Sequence, residues 1–363
     1  MPMKDVQCLL IGALVALLIF CAVHRSSGHH MALVMDEWGN EAMVVSTSLS
    51  NSDHSLFLVD TAYAGPPVIS TSYLAAPDGA RRGRSMQDWY RTILLQLKTT
   101  VDQESRRRSL RGFLEACKCR SFTSGCTMRL MGIGTTTEAR ADMLLCPSLM
   151  RDNAAVGDVL VTNPLQGSPH ILTIDYLLHR HPCLLCPAWQ RLFLDMPAWE
   201  VASTRPSFEF HANPRLVGGA PSVVMTVGGA ELQIVIDTGA AAALSLSPTA
   251  ISKLKVCGNM GDGPLKAMQT GVNGEKICSD IVTASVQIGS TVFPSVQIFA
   301  NSEDVQGADG YAGMGLLRAL DLWLAPHEIG FRPSGLPPGM SRAMTPGTCG
   351  KRPLQCAVSE HAV

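Results

Sequence analysis

The chain has 363 residues, of which 46% are hydrophobic and 16% charged, and its formal net charge is −1. There is enough apolar material for two domains, or for one domain of two lobes. A charge this close to neutral gives no electrostatic basis for binding nucleic acid.

The first element in chain order is Val6 to Val23, VQCLLIGALVALLIFCAV, an uncharged apolar run with Lys4 before it and Arg25 after it. Its length is the minimum for a membrane span and long for the core of a signal peptide. Residues 1–30 read as an uncleaved signal anchor with an N-terminal transmembrane helix, and a cleaved signal peptide is the alternative. The expected location is a single-pass membrane protein of the secretory pathway or cell surface, or a secreted protein if the segment is removed. Twelve cysteines suit such an oxidising compartment. Proximity in sequence suggests disulfides Cys257–Cys278 and Cys349–Cys356. No Asn-x-Ser/Thr sequon is present.

Residues 31–190 form the next block. AMVVSTSLSNSDHSLFLVD, Ala42 to Asp60, places two apolar runs around a Ser/Asn/Asp cluster, the pattern of a hairpin. Met86 to Phe113 then repeats Trp89, Ile93, Leu94, Leu97 and Val101 at mostly three- and four-residue steps. That periodicity predicts helix, so residues 81–116 read as a helical insertion. Arg106 to Arg108 read as its solvated face. Short β-like runs return in DVLVT and HILTI. Residues 191–215, with Pro197, Pro206 and Pro214, read as a linker. A second β-rich block, 216–333, opens with the hairpin SVVMTVGGAELQIVID, turning at Gly228-Gly229. Residues 334–363, rich in Pro, Gly and Ser, are expected to be disordered.

That second hairpin drives Leu232, Ile234 and Ile236 into Asp237, followed by Thr238, Gly239 and a run of alanines. A carboxylate at the end of a buried strand is desolvated and charges reluctantly. Two such carboxylates brought together share a proton, so one is base and the other acid towards a water between them. Small residues after the acid let two such loops meet. Gly239 permits close backbone approach, and the Thr238 hydroxyl can bond across to the other loop.

The order of motifs over residues 221–333 resembles the aspartic proteases, in particular the retropepsin-like branch. LQIVI, then DTGA, then ALSLS match the strand, acid and loop. TGVNGE, Thr270 to Glu275, stands where those enzymes carry a flap. DGYAGMGLLRALDLWL, Asp309 to Leu324, looks like the family's apolar-apolar-Gly element leading into a short helix. The resemblance implies a mostly β fold of acid-protease-like closed barrels and an aspartic endopeptidase acting on a peptide or protein substrate. It implies no cofactor and no metal. The flap and substrate-binding residues it implies are Gly271, Val272, Asn273 and Gly274.

One aspartate is half of such a site. LFLVDTAYAGPPVISTS, Leu56 to Ser72, can be laid on QIVIDTGAAAALSLSPT, which puts Asp60 on Asp237 and Thr61 on Thr238. Further on, Gly132 falls on Gly271 and Ile171 on Tyr311. From Gly132 to Ile171 is 39 residues and from Gly271 to Tyr311 is 40, whereas Asp60 to Gly132 is 72 and Asp237 to Gly271 is 34. The helical insertion accounts for the difference. Two pseudo-symmetric lobes are therefore expected, with a first flap at Gly132, Ile133 and Gly134. The first copy departs from the pattern: Ala62 replaces Gly239, and Thr173 replaces Gly313. That makes the first lobe a degenerate half, with two alternatives to a bilobal monomer. One is a homodimer in which only Asp237 is catalytic. The other is a non-catalytic peptide-binding or structural membrane protein. Under the paired-aspartate reading, activity peaks in acid and falls once both carboxylates ionise.

HRHPCLLC, His179 to Cys186, has metal-ligand residue types but no zinc spacing. Gly132-x-Gly134 lacks the Lys-Ser/Thr of a phosphate loop.

Overall fold

A computed structural model describes residues 29–35, 41–50, 53–63, 65–70, 111, 115, 120–132, 135–145, 150–151, 154–155, 159–163, 170–178, 182–194, 196, 198–212, 215–254, 265–270, 276–301, 305 and 307–334. These residues are mostly β. The first half comprises β1 (His29–Met35), β2 (Glu41–Ser50), β3 (Asp53–Asp60), β4 (Val68–Ser70), β5 (Arg120–Gly132) and β6 (Thr135–Leu145). A small hairpin of β7 (Met150–Arg151) and β8 (Ala154–Ala155) follows, then β9 (Val159–Asn163) and β10 (His170–Thr173), which runs into helix α1 (Ile174–Leu178). Next come β11 (Cys183–Cys186), β12 (Arg191–Phe193), α2 (Ala198–Thr204) and β13 (Glu209–Ala212). The second half holds β14 (Arg215–Val217), β15 (Ala220–Val227), β16 (Ala230–Ile236), β17 (Leu244–Leu246), α3 (Pro248–Ser252), β18 (Leu265–Thr270), β19 (Lys276–Ile288) and β20 (Thr291–Ala300). It ends with β21 (Gly310–Ala312), α4 (Met314–Leu317), β22 (Leu320–Ala325) and β23 (Glu328–Pro333).

The two halves repeat one strand order. In the first, β1-β2-β3-β10-β4-β9-β6-β5 are neighbours; in the second, β14-β15-β16-β21-β17-β20-β19-β18 are. The register repeats as well. Ile171 stands opposite Leu58 and Val68, and Tyr311 stands opposite Val235 and Ser245. Leu58 and Val235 each precede their aspartate by two residues. Met143 pairs with Val161 as Ile281 pairs with Phe299. In the second half β15 also pairs with β19, which closes the sheet on itself. The corresponding β2–β6 pairing is not made among the described residues.

Why β16 forms is plain from its side chains. Leu232, Ile234 and Ile236 are wholly buried while Glu231 is exposed, so alternation orients the strand. Its hairpin with β15 turns at Gly228-Gly229, and both glycines have the positive φ that a two-residue turn of this kind requires.

A six-stranded sheet, β13-β23-β22-β11-β12-β1, joins the halves. At its centre β11 and β22 run antiparallel, with Cys183 opposite Leu324 and Leu184 opposite Trp323. Exchanging the halves maps one of these pairs onto the other. Residues 191–215 are therefore more than the linker expected: they supply β12, α2 and β13. Pro206 sits in a 3-10 turn, Arg205–Ser207, between α2 and β13, where no strand is interrupted. Trp323 is fully buried here, with its ring 5.7 Å from Phe208 and 6.1 Å from Phe210.

His29 and His30, expected within the anchor segment, already belong to β1. Val6 to Val23 lies outside the described residues, and among those described no helix is long and apolar enough to cross a membrane. Of the helical insertion 81–116, only Arg111 and Glu115 are described, both helical. Cys257, Cys349, Cys356 and residues 335–363 also lie outside, and no disulfide is formed among the described residues.

One buried charge braces the shared sheet. Asp321 has no solvent exposure, and its Oδ2 accepts from Nε of Arg332 and faces Nη2, each at 2.8 Å, while Ser334 Oγ donates to Oδ1 at 2.9 Å. Removing the carboxylate leaves the guanidinium without its counter-charge, a loss that costs roughly 3–5 kcal/mol for a buried pair and less here because Arg332 keeps solvent contact. Asp321→Ala is expected to destabilise the fold by about 2–3 kcal/mol. The measurement is the urea midpoint at unchanged m-value; a variant within experimental error of the parent would refute the assignment.

Candidate active site

Asp60 ends β3 and Asp237 follows β16 directly, so each strand delivers its acid to the same end of its sheet. The neighbouring parallel strand holds it there. Thr173 of β10 stands opposite Asp60, and the Asp237 N–H donates to Ala312 O of β21 at 2.9 Å. Past each acid the chain turns sharply. Asp60 Oδ1 accepts from the N–H groups of Ala62 (2.9 Å) and Tyr63 (3.1 Å). Asp237 Oδ1 accepts from Gly239 (2.9 Å) and Ala240 (3.0 Å). The two acids thus make the same bonds in the same order.

The threonines lock one turn to the other. Thr61 N–H donates to Thr238 Oγ1 at 3.2 Å, and Thr238 N–H donates to Thr61 Oγ1 at 3.1 Å. Each hydroxyl in turn donates across the interface: Thr61 Oγ1 to Ile236 O at 2.6 Å, and Thr238 Oγ1 to Val59 O at 2.7 Å. Both threonines are wholly buried, so water cannot substitute for these partners. Every partner of Thr238 in this lock comes from the first half of the same chain.

This lock brings the carboxylates face to face. A methyl group on Gly239 would lie 2.8 Å from Cγ and Oδ2 of Asp60 and 3.2 Å from Oδ1 of Asp237. Glycine is required there by space alone, since its φ is not positive. Ala62, in the matching place, does not have positive φ either, so the Gly-to-Ala departure imposes no backbone strain.

Electrostatics follow from the geometry. Burial raises the Asp60 carboxyl above the usual carboxylate range, against the lowering effect of its two backbone bonds. Burial raises Asp237 as well, and the Asp60 charge pushes it further. Like charges this close cannot both form cheaply, so the pair holds one proton over a range where isolated carboxylates have lost theirs. Burial and the Asp237 charge also raise the Tyr311 phenol, which places that side chain within the field of the pair.

Four of the residues expected from sequence therefore meet with their counterparts at one point: Asp60, Thr61, Asp237 and Thr238, with Gly239 between the acids. Gly132 closes β5, paired with Thr135 of β6. Ile133, Gly134 and Gly271 to Gly274 lie outside the described residues, in sequence between β5 and β6 and between β18 and β19. Tyr311 is marked in the sequence only as a tyrosine two residues before Gly313, inside an otherwise apolar element. No metal-ligating cluster of His, Cys, Asp and Glu occurs among the described residues.

Two solved structures similar to this chain are aspartic proteases. A retropepsin-like aspartic protease from Rickettsia conorii is 17% identical over 34% of this chain and 90% of its own, with a TM-score of 0.26. An aspartic proteinase from Irpex lacteus is 12% identical over 83% of this chain and 96% of its own, with a TM-score of 0.40. No family model and no curated protein sequence matches. The reading of the site rests on its own geometry.

Two outcomes are expected. Thr238→Val keeps the shape but orphans Thr61 N–H and Val59 O in a dry interface, at about 1–3 kcal/mol for each buried group left unsatisfied. Chemical denaturation reads this loss, and an unchanged midpoint would contradict the lock. The second concerns pH. Because both carboxyl pKa values are raised by folding, the native state retains protons that the unfolded chain has released. That contribution is complete below the unfolded value of about 4 and is lost as pH rises through the raised folded values. Asp237→Asn removes one ionisation and should raise the melting temperature at pH 7 relative to the parent. The gain should shrink towards pH 4; a gain independent of pH argues against a buried, proton-sharing pair.

Proposed function

We propose that this chain is a single-chain aspartic endopeptidase in which Asp60 and Asp237 together activate one water molecule against a peptide bond. The observation that carries the reading is the reciprocal Thr61–Thr238 lock, which delivers the two carboxylates to one point at the junction of the halves. In the half-protonated pair, the charged carboxylate takes a proton from water as the water oxygen attacks the peptide carbonyl carbon. The protonated partner donates to the carbonyl oxygen. Collapse of the tetrahedral intermediate breaks the C–N bond: the carboxyl that took the water proton gives it to the departing nitrogen, and the other carboxylate takes back a hydroxyl proton, which restores the half-protonated pair. No covalent enzyme intermediate and no cofactor enter this sequence.

By the resemblance, the β5–β6 and β18–β19 hairpins would close over an extended peptide. A homodimer using two copies of Asp237 is disfavoured, because the Thr238 groups that would grip a second copy are engaged by Val59 and Thr61. The apolar run Val6 to Val23 supports placing the enzyme in the secretory pathway, anchored or released.

Cleavage of an unfolded protein substrate, followed across pH, tests the reading. Asp60→Asn and Asp237→Asn should each abolish turnover by several orders of magnitude while retaining the fold. Retained turnover in Asp60→Asn alone would favour the homodimer. An intact fold with no cleavage at any pH would leave a peptide-binding protein. The pH–rate profile should be bell-shaped, and its alkaline limb should lie above the ordinary carboxylate value of about 4, because burial and mutual repulsion raise the second ionisation.

A further inference from the structure

The two halves hold their aspartate loops by different means. In the second half, three consecutive residues after β21 hold the loop through backbone alone. Gly313 N–H donates to Ala243 O at 3.2 Å, Met314 N–H to Ala240 O at 2.8 Å, and Gly315 N–H to Ala241 O at 3.1 Å. The fit is too close for side chains. A Cβ on Gly313 would lie 2.4 Å from Ala242 O, and one on Gly315 would lie 2.7 Å from Ala243 N.

In the first half the register puts Thr173 where Gly313 stands, Ile174 where Met314 stands and Asp175 where Gly315 stands. The middle bond is kept: Ile174 N–H donates to Tyr63 O at 3.0 Å. Two side chains add bonds that the glycines of the second half cannot make. Thr173 Oγ1 donates to Gly65 O at 2.5 Å, and Asp175 Oδ2 accepts from Gly65 N–H at 2.7 Å. Gly65 matches Ala242, so the Thr173 hydroxyl bonds the counterpart of the carbonyl that excludes a side chain from Gly313. Gly65 takes φ +114°, a conformation open to glycine and strained for other residues, and this presents both its peptide groups to the clamp.

We propose that Thr173 and Asp175 are positioning residues for Asp60: their side chains clamp Gly65 and thereby hold the turn that carries the first carboxylate. The inference rests on the endopeptidase reading for its catalytic consequence, though not for the clamp itself. Thr173, one of the departures that make the first half look degenerate, is on this account part of the means by which that half keeps its acid in place. Tyr63 links the clamp to the acid, since its carbonyl is held by Ile174 and its N–H is bonded to Asp60 Oδ1. Asp175 is exposed and contacts the loop from outside, so it can be altered without opening the core.

The test compares Asp175→Ala and Thr173→Val with the conservative Asp175→Asn and Thr173→Ser, which retain an acceptor and a hydroxyl. Two readouts are needed: steady-state kinetics on a peptide substrate, and carboxyl-carbon NMR titration of Asp60, which does not depend on turnover. The clamp predicts that Asp175→Ala and Thr173→Val lower kcat roughly ten- to a hundredfold, as slight misplacement of a reacting group does, with KM little changed. It also predicts that the Asp60 titration moves down in both, as the loosened turn admits water, while the conservative variants stay near the parent in both readouts. Asp175→Ala with parental kcat and an unmoved Asp60 titration overturns the proposal. So does an equal loss in Asp175→Asn and Asp175→Ala. If the parent cleaves nothing, the endopeptidase reading fails, and the titration alone decides the clamp: a downward shift sustains it and no shift overturns it.

Discussion

The whole arrangement depends on four hydrogen bonds made by two buried threonines. Thr61 and Thr238 each use the backbone N–H and the side-chain hydroxyl, and every partner lies in the other half of the chain. A hydroxyl donates once and accepts as well, so each threonine can receive its counterpart's N–H while donating to a strand-end carbonyl. No apolar residue of similar shape does both. The lock sets the spacing of the two strand ends, and that spacing sets how close Asp60 and Asp237 come. Their closeness opposes folding, since it buries two acids side by side; the lock, the backbone bonds to each carboxylate and a shared proton together offset that cost.

The six-stranded sheet supplies the frame on which the lock can form. β11 and β22 meet across the junction with Cys183 opposite Leu324 and Leu184 opposite Trp323. A continuous core runs from Phe57 and Leu185 in the first half through Leu322 and Leu324 to Ile234 and Ile236 in the second. The halves are therefore one packed body at their base, and side chains in such a body shift little at ordinary temperature. Rigid support of this kind is what a pair of acids needs if they are to face one another within the reach of a single water.

Against that symmetry the loops differ. The second half packs Gly313 and Gly315 against an alanine loop with no room for a Cβ. The first half fills the same space with Thr173 and Asp175 and bonds them to Gly65. The strict need for glycine beside the acids falls on position 239, where a methyl would strike both carboxylates. Position 62, in the matching turn, tolerates alanine. A repeat in which each half solves the same mechanical problem differently is easy to mistake for a working half and a decayed half.

Alternation and spacing make much of this legible in the sequence. Leu232, Ile234 and Ile236 announced a strand ending at Asp237, and the overlay of Leu56–Ser72 on the second copy anticipated the register that the sheets adopt, down to Val68 with Ser245 and Ile171 with Tyr311. Such features are local or repeated, and a period of two or a repeated spacing survives in a one-dimensional string. The role of residues 191–215 was not legible, because prolines and short apolar runs look alike in a linker and in edge strands of a shared sheet. Nor was the Gly65 clamp, which joins residues more than a hundred positions apart through side chains that sequence shows only as departures from a pattern. Residue pattern picks out Asp60 and Asp237 and the strands that carry them. That the two acids meet is a matter of packing, which sets the distances between segments far apart in the chain.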